Sequence, residues 1–441
     1  MRDPAAALRF ESDLVIRELY RPLPAQHFLY SELAQRWVEE KRLVPFHWLD
    51  AGQRVASRRV AFVSQPSEWC DAQLFAAAKL TLQLQVEAIE AGFDLKDGSA
   101  WNVIFDGCRP VFCDLLSFEA LHDRRWWAFG QYARHFLLPL LASRRAGFQG
   151  RHGFAVWRDG MPPEAARRML GWTALWSRYG LLLVRPKVAA HSSVAVEGVG
   201  DRYSFGEVQS FRRRLQAALD WQLQGLLPRT KDVPGWVDYE QDRPHYGGQS
   251  LSCKRQLVAE WLQELAPDWV LDLGCNTGEF TRLALAQGAH VIAADSDHDC
   301  IQQLFLANEN HARLHPLVVS LDDLRAARGW AGSEFIGLEQ RLDACADVVL
   351  MLALVHHLAI GSAIPLREVA SFAYHCTRHA LIVELLDEDD PQLIALCNQR
   401  RRLPHEFSLT LQRDAFVAAG FSIVAEHRLD GAARSLLLLR K

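Results

Sequence analysis

The chain has 441 residues, 49% hydrophobic and 23% charged, with 49 basic against 53 acidic side chains and a formal net charge of −4. That composition excludes wholesale disorder, and the near balance of charge argues against holding nucleic acid by bulk electrostatics. No apolar run reaches the roughly 20 residues of a membrane span; the best, Val348 to Ile360, is broken by His356 and His357. Nine cysteines without a Cys-x-x-Cys spacing read as reduced thiols of a cytoplasmic protein. The unusual count is tryptophan, at 14, whose large amphipathic rings need cores, pockets or interfaces.

In chain order, the first strong helical pattern covers 71–92, with Leu74, Phe75, Ala78, Leu82, Val86 and Ile89 on one face. It runs into Asp97-Gly-Ser-Ala-Trp-Asn102-Val-Ile-Phe105, and Val111-Phe-Cys-Asp114 follows. The basic cluster Arg212-Arg-Arg214 sits in a helical pattern and reads as a solvated face. Between about 228 and 248 several Pro and Gly residues mark a break in character.

Beyond the break, helix and short apolar strand alternate: a helix at Leu251–Leu265, a strand at Trp269–Leu273 and a helix at Gly278–Gln287. A strand at His290–Ala294, a helix at Cys300–Asn308 and a strand near Leu317–Val319 come next. Asp347–Met351 is a strand, Pro365–His375 a helix and Ala380–Leu385 a strand. The segments Phe421–His427 and Ser435–Leu439, joined by Asp430-Gly431, read as a hairpin. Such alternation predicts a mostly parallel sheet with right-handed crossovers, and the hairpin adds one antiparallel strand.

The most informative segment is Val270-Leu-Asp272-Leu-Gly274-Cys275-Asn276-Thr-Gly278. A strand runs into a glycine-bearing turn and then a helix, the place where open α/β sheets bind ligands. Gly274 allows a tight turn and close backbone approach, and Gly278 a packed helix start. Gly-x-x-x-Gly is not the dinucleotide fingerprint. Asp272 beside the turn would repel a pyrophosphate and suits a ligand with an ammonium group. Asp295, ending the next strand, can accept hydrogen bonds from both hydroxyls of a ribose.

The fourth strand continues through Met351 to His356 and His357. Histidine has a pKa suited to taking a hydroxyl proton near neutrality, and a satisfied histidine packed below the site is the alternative. Glu384, with Asp387, Asp389 and Asp390 after it, forms an acidic rim that either binds acceptor hydroxyls or a cation or is a solvated loop.

The loop at 272–278 with Asp295 resembles the first motif of the class I SAM-dependent methyltransferases. Leu354-Val-His-His-Leu-Ala-Ile360, Glu384-Leu-Leu-Asp-Glu-Asp-Asp-Pro391, Leu95-Lys-Asp-Gly-Ser-Ala-Trp-Asn102 and Arg109-Pro-Val-Phe-Cys-Asp114 resemble, more narrowly, the methyltransferases related to the nodulation protein NoeA. The resemblance implies a Rossmann-like class I sheet at 251–441 that binds S-adenosyl-L-methionine (SAM). By it, Asp272, Gly274, Cys275, Asn276, Gly278, Asp295 and Met351 face the cofactor. Ser320 stands where such proteins tend to carry an adenine-side Asp, with Asp322 and Asp323 close behind. Trp236, Tyr239 and Tyr246, in a linker or lid at 229–250, resemble an aromatic cover, and Lys254, near the start of the following helix, is placed to reach the pocket mouth.

Asp97, Asn102 and Asp114 resemble the catalytic and metal loops of the protein-kinase-like fold, which implies Mg-ATP and a metal held by Asn102 and Asp114. No Gly-rich phosphate loop precedes them, and Asp114 is followed by Leu-Leu. The other reading is that the three cap turns around a hairpin. The expectation is therefore an α+β, kinase-like or substrate-docking domain at 1–228 followed by the α/β methyltransferase. Its acceptor is a small molecule or carbohydrate methylated at oxygen, with no nucleic acid, no membrane and no resident metal outside the kinase-like reading. A bifunctional kinase/methyltransferase and a non-catalytic SAM-binding scaffold are the alternatives. The sequence carries no signal for oligomeric state.

Overall fold

A computed structural model describes residues 5–11, 13–183, 203–228 and 248–441. Contacts divide the chain into two compact units, Met1–Arg229 and Thr230–Lys441. Trp236, Tyr239 and Tyr246 lie outside the described residues. No described helix is long and apolar enough to cross a membrane.

The first unit is α+β. Strands β1 (Ala6–Glu11), β2 (Leu14–Leu19), β3 (Phe46–Trp48) and β4 (Arg54–Arg58) form an antiparallel sheet in the order β1-β2-β4-β3. Two antiparallel pairs follow the helix Asp71–Glu90: β5 (Phe93–Leu95) with β8 (Phe118–Ala120), and β6 (Val103–Asp106) with β7 (Arg109–Phe112). The long helix is buried on most sides, so its polar residues need internal partners. Gln85 has two: its amide donates to Asp94 Oδ1 at 2.8 Å and its carbonyl accepts from Leu95 N at 2.8 Å.

The expected solvated face at 212–214 needs correction. Arg212 has no solvent exposure; it donates to Asp94 Oδ2 at 3.1 Å and to the carbonyls of Asp123 at 3.1 Å and Arg125 at 2.9 Å. Its exposed neighbour Arg213 pairs with Glu90. The cause is Asp94, a buried carboxylate that requires a cation, and the helix Phe205–Gln224 supplies it.

The second unit is a seven-stranded sheet of β9 (Trp269–Leu273), β10 (His290–Asp295), β11 (Leu314–Val318), β12 (Ala346–Met351), β13 (Thr377–Leu386), β14 (Ser422–Arg428) and β15 (Arg434–Arg440). Their order is β11-β10-β9-β12-β13-β15-β14. Strands β9 to β13 run parallel, and β15 is antiparallel to both of its neighbours. This is the Rossmann-like arrangement expected, with the single reversed strand at the Asp430-Gly431 hairpin. Strand β11 starts before the apolar run does, taking in His315 and Pro316. Proline costs a ladder hydrogen bond in a central strand, but β11 is an edge. Among the described residues of this unit three α-helices were not anticipated: Leu338–Leu342, Pro391–Arg400 capped by Asp390, and Leu409–Ala418 capped by Ser408.

Candidate active site

The loop after β9 is a chain of unusual backbone angles. Gly274 has φ 74°, Asn276 φ 51° and Gly278 φ 90°, all left-handed. Asparagine tolerates that region because its short polar side chain bonds locally, and Asn276 Oδ1 accepts from Thr277 N at 2.7 Å. Gly274 N and Cys275 N both donate to Ala294 O, at 2.8 and 3.2 Å, which ties the turn to the end of β10. Gly278 caps the helix Glu279–Ala286, and a Cβ there would lie 2.6 Å from Leu304 Cδ1.

Asp295 ends β10, partly exposed, against this turn. Its Oδ2 accepts from Asn276 N and its Oδ1 from Asp297 N, each at 2.8 Å, so the carboxylate is oriented before any ligand arrives. Burial pushes its pKa above the usual carboxylate value. Asp272 lies beneath the loop, 2% exposed, and accepts from Thr281 Oγ1 at 2.6 Å. Burial pushes it up to about 6, with the nearby Asp295 charge adding to the effect. Cys275 is buried as well, and burial pushes its thiol well up. Met351 ends β12 with no exposure, level with Leu273 of β9 and Val383 of β13.

Ser320 does not stand alone. Its Oγ donates to Asp322 Oδ1 at 2.5 Å, and Ser362 Oγ donates to Asp322 Oδ2 at 2.7 Å. Those hydroxyls hold the Asp322 carboxyl below its ordinary pKa, so a carboxylate stands on this rim two positions from Ser320.

On the other side, β12 leaves the sheet through Ala353, whose φ of 53° is strained for a residue with a Cβ. Leu354 then closes on the glycine turn after β9: its Cδ1 lies 3.3 Å from where a Gly274 Cβ would be. His356 follows, 3% exposed, with neither ring nitrogen hydrogen-bonded. Burial, together with the charges of His357, Arg434 and Lys254, pushes its pKa well below the usual imidazole value. His357 is half-buried and likewise lowered by burial; the two ring centroids are 4.2 Å apart. His357 opens a π-helical turn, His357–Gly361, a distortion that recurs at functional sites.

Around His356 lies a buried ionic network. Lys254, on the helix Gly248–Leu265, places Nζ 2.6 Å from Glu384 Oε2 and 4.9 Å from the Phe280 ring centroid. Glu384 Oε1 is 3.6 Å from Arg434 Nη1, and Arg434 Nε donates to Asp390 Oδ2 at 2.8 Å. Arg434 Nη2 donates to Gln392 Oε1 at 2.7 Å. None of these four charged residues is more than 2% exposed. Sequence reasoning set Lys254 at the pocket mouth and Glu384 in an acidic rim with Asp387, Asp389 and Asp390, without pairing the two, and it missed Arg434. Asp390 is instead buried, capping one helix while pairing with Arg434. The Asp-Pro step at 390–391 was the available signal.

In the first unit, Asp97, Asn102 and Asp114 meet. Burial raises the Asp97 pKa, and the Asp114 charge raises it further. Asn102 Nδ2 donates to Asp97 O at 3.1 Å and to Ser117 Oγ at 3.3 Å, and Ser117 Oγ donates to Asp114 Oδ2 at 2.5 Å. Asp97 Oδ1 accepts from Ser99 N and Asp114 Oδ1 from Leu116 N, each at 3.2 Å, which is turn capping. Among the described residues no group of three or more His, Cys, Asp or Glu is placed to hold a metal ion.

No established family profile matches the chain. It is 28% identical over 456 residues to the nodulation protein NoeA of Rhizobium meliloti (strain 1021), covering 99% of this chain and 94% of that protein. Among solved structures it is similar to magnesium protoporphyrin IX methyltransferase (ChlM) from Synechocystis PCC 6803 with bound SAM. There the identity is 17% and the TM-score 0.32, over 48% of this chain and 100% of that one. For the N-methyltransferase NodS from Bradyrhizobium japonicum WM9 the identity is 10% and the TM-score 0.33, over 44% and 97%. WbdD gives 19% and 0.33, over 47% of this chain and 45% of that one. At these identities and TM-scores the weight falls on the residues of the loop and the strand ends. The chain is similar to NoeA over nearly its full length, and its second unit carries the mostly parallel sheet with a left-handed glycine turn after β9.

Proposed function

We propose that this domain methylates an oxygen of a glycan or small-metabolite acceptor, with the His356/His357 pair as base. The observation that carries this reading is His356: a buried imidazole with both nitrogens unbonded, beside the strand end that closes on the cofactor loop. A buried polar group without a partner is costly, and a substrate hydroxyl would satisfy it.

SAM, when bound, supplies a methyl group on an electrophilic sulfonium. The residues present fit it: the left-handed turn lets backbone approach, Asp295 presents a fixed carboxylate to ribose hydroxyls, and Asp322 offers a second acceptor on the adenine side. Asp272 and Lys254 set the charge below the loop, and Met351 fills the floor. Glu384, held between Lys254 and Arg434, accepts a hydroxyl of the acceptor. His356 stays neutral because two cations and burial oppose its protonation, so its lone pair is available to take the hydroxyl proton. His357, packed against it and half-buried, is the next group outward.

Calorimetric titration with S-adenosylhomocysteine tests the cofactor half, and a folded sample that binds none overturns it. Transfer of a labelled methyl from SAM to hydroxyl-bearing acceptors separates an enzyme from a SAM-binding scaffold.

A second activity in the first unit is favoured only by the meeting of Asp97, Asn102 and Asp114. Their side chains cap turns, Asp97 at Ser99 N and Asp114 at Leu116 N, which favours the capping reading over a Mg-ATP site. Substrate docking is the role this unit is assigned. An unchanged melting temperature with Mg-ATP is the expected outcome, and a rise abolished by Asp114→Ala would restore the kinase reading.

A further inference from the structure

The first unit carries an outward-facing surface that methyl transfer does not use. The 3-10 helix Trp172–Trp176 and the short helix Gly180–Leu183 pack on the helix Pro163–Leu170. Their inner residues are Ala166, Ala174, Tyr179, Leu182 and Leu183, none more than 3% exposed. Their outer residues are large and apolar: Trp172 is 74% exposed, Trp176 92% and Leu181 85%. Trp221, 57% exposed, joins them through Arg178, whose guanidinium carbon lies 4.4 Å from its ring centroid and which donates to its carbonyl at 3.2 Å.

Arginines surround these rings. Residues 161–183 hold Arg167, Arg168 and Arg178 against a single acid, Glu164. Arg144 and Arg145, at the end of the helix Leu138–Ala146, lie close enough to Tyr179 for their charges, with that of Arg178, to bear on its hydroxyl. Arg167 stacks on Trp172 at 5.6 Å. Among the described residues none of these five arginines is in an ion pair with a carboxylate. In a chain of net charge −4, this is a local cationic surface carrying protruding apolar groups.

We propose that this face docks on an anionic lipid surface. The cations require an anionic partner, and the apolar groups identify which kind. Indole rings settle at the boundary between headgroups and acyl chains, where one edge is wet and the other is not. Leu181 and the 39%-exposed Met169 have no π-face to offer a nucleic-acid base, but they insert among acyl chains. Arginines bearing on these rings then meet the phosphates of the headgroups. The interaction is reversible and peripheral, because the insertion is shallow and much of it is electrostatic. It does not depend on the methyltransferase reading.

The test is sedimentation of the full-length chain with phosphatidylcholine vesicles, with and without one-third phosphatidylglycerol. Binding is expected to the anionic vesicles only, with a blue shift of tryptophan emission, and is expected to fall at least tenfold in 0.5 M salt. The pair Trp172→Ala/Trp176→Ala should lose the emission shift and most of the binding, and Arg167→Gln/Arg168→Gln should weaken it while leaving a residual shift. Both variants are compared only if their thermal melts match wild type. Exposed positions make that the expected result, and Leu181→Ser serves as an independent probe of the same face. Wild type remaining in the supernatant overturns the proposal, as does anionic-vesicle binding that none of these substitutions changes. Capture of a single-stranded oligonucleotide without vesicle binding also overturns it, in favour of nucleic acid.

Discussion

Lys254 Nζ sits 2.6 Å from Glu384 Oε2, with the two side chains 3% and 0% exposed and 130 positions apart in the chain. Taking one ion of such a pair away leaves the other buried and uncompensated. Lys254→Met is expected to cost about 3 kcal/mol of unfolding free energy in denaturant titration. The double variant Lys254→Met/Glu384→Leu should cost clearly less than the sum of the single changes. Additive losses would show that the pair is not coupled.

Asp295 is held by Asn276 N and Asp297 N before a ligand binds, so removing its carboxylate should spare the fold more than the binding. Asp295→Ala is expected to weaken S-adenosylhomocysteine about 10- to 100-fold by calorimetry, the worth of charge-assisted hydrogen bonds. An unchanged affinity would remove Asp295 from the cofactor site.

Gly278 and Gly431 have similar positive φ values, 90° and 75°, but different surroundings. A Cβ at Gly278 meets Leu304 at 2.6 Å, whereas one at Gly431 meets nothing within 4 Å. Gly431→Ala should cost about 1 kcal/mol, from backbone conformation alone. Gly278→Ala should cost about 1–3 kcal/mol more and weaken cofactor binding. Equal losses in thermal melts would mean that Leu304 yields freely.

Two pH effects with opposite signs are expected in the second unit. Asp272 is raised from 3.8 to about 6, so its ionised form penalises the native state above pH 6, and the penalty fades as pH falls towards 4. Asp272→Asn should therefore stabilise the ligand-free protein at pH 8 by on the order of 2–3 kcal/mol, and the gain should shrink below pH 6. His315, lowered by burial to about 4, and His356, lowered well below the usual imidazole value, stay neutral in the native state while the unfolded chain protonates near 6.5. Each subtracts stability as pH falls below 6.5, by up to about 1.4 kcal/mol per pH unit. Ring-proton NMR should show neither titrating between pH 7 and 5, and a midpoint near 6.5 for either would contradict its burial.

The parallel sheet was legible because each central strand is a short apolar run with turn chemistry at its ends, and the cofactor loop because its glycines and acids are close in sequence. The Asp-Gly turn likewise announced the reversed strand. Arg434 was not legible: it opens an outer hairpin strand, and only tertiary folding brings it to Asp390 and Glu384. Arg212 was misread for the same reason, since the carboxylate that buries it lies 118 positions away. The first sheet was faint because β1 and β2 carry Arg9 and Arg17 among their apolar residues, and Arg17 is spent inside on the Cys113 carbonyl at 2.6 Å. His356 lies beyond the end of β12, at the start of a π-helical turn, and its lack of hydrogen-bond partners is a property of the packed fold that no sequence pattern shows.

The hairpin that carries Arg434 also sets an order of events. Every residue of the cofactor turn, and Asp295 behind it, comes from a local stretch that local pairing can assemble early. Glu384 gains its second cation only when β15 slots between β13 and β14, a non-local closure of the kind that folds slowly. A nascent chain that has made β9 to β13 therefore holds a formed glycine turn beside a Glu384 with only one of its two cations, and the buried network closes only when the last strand arrives.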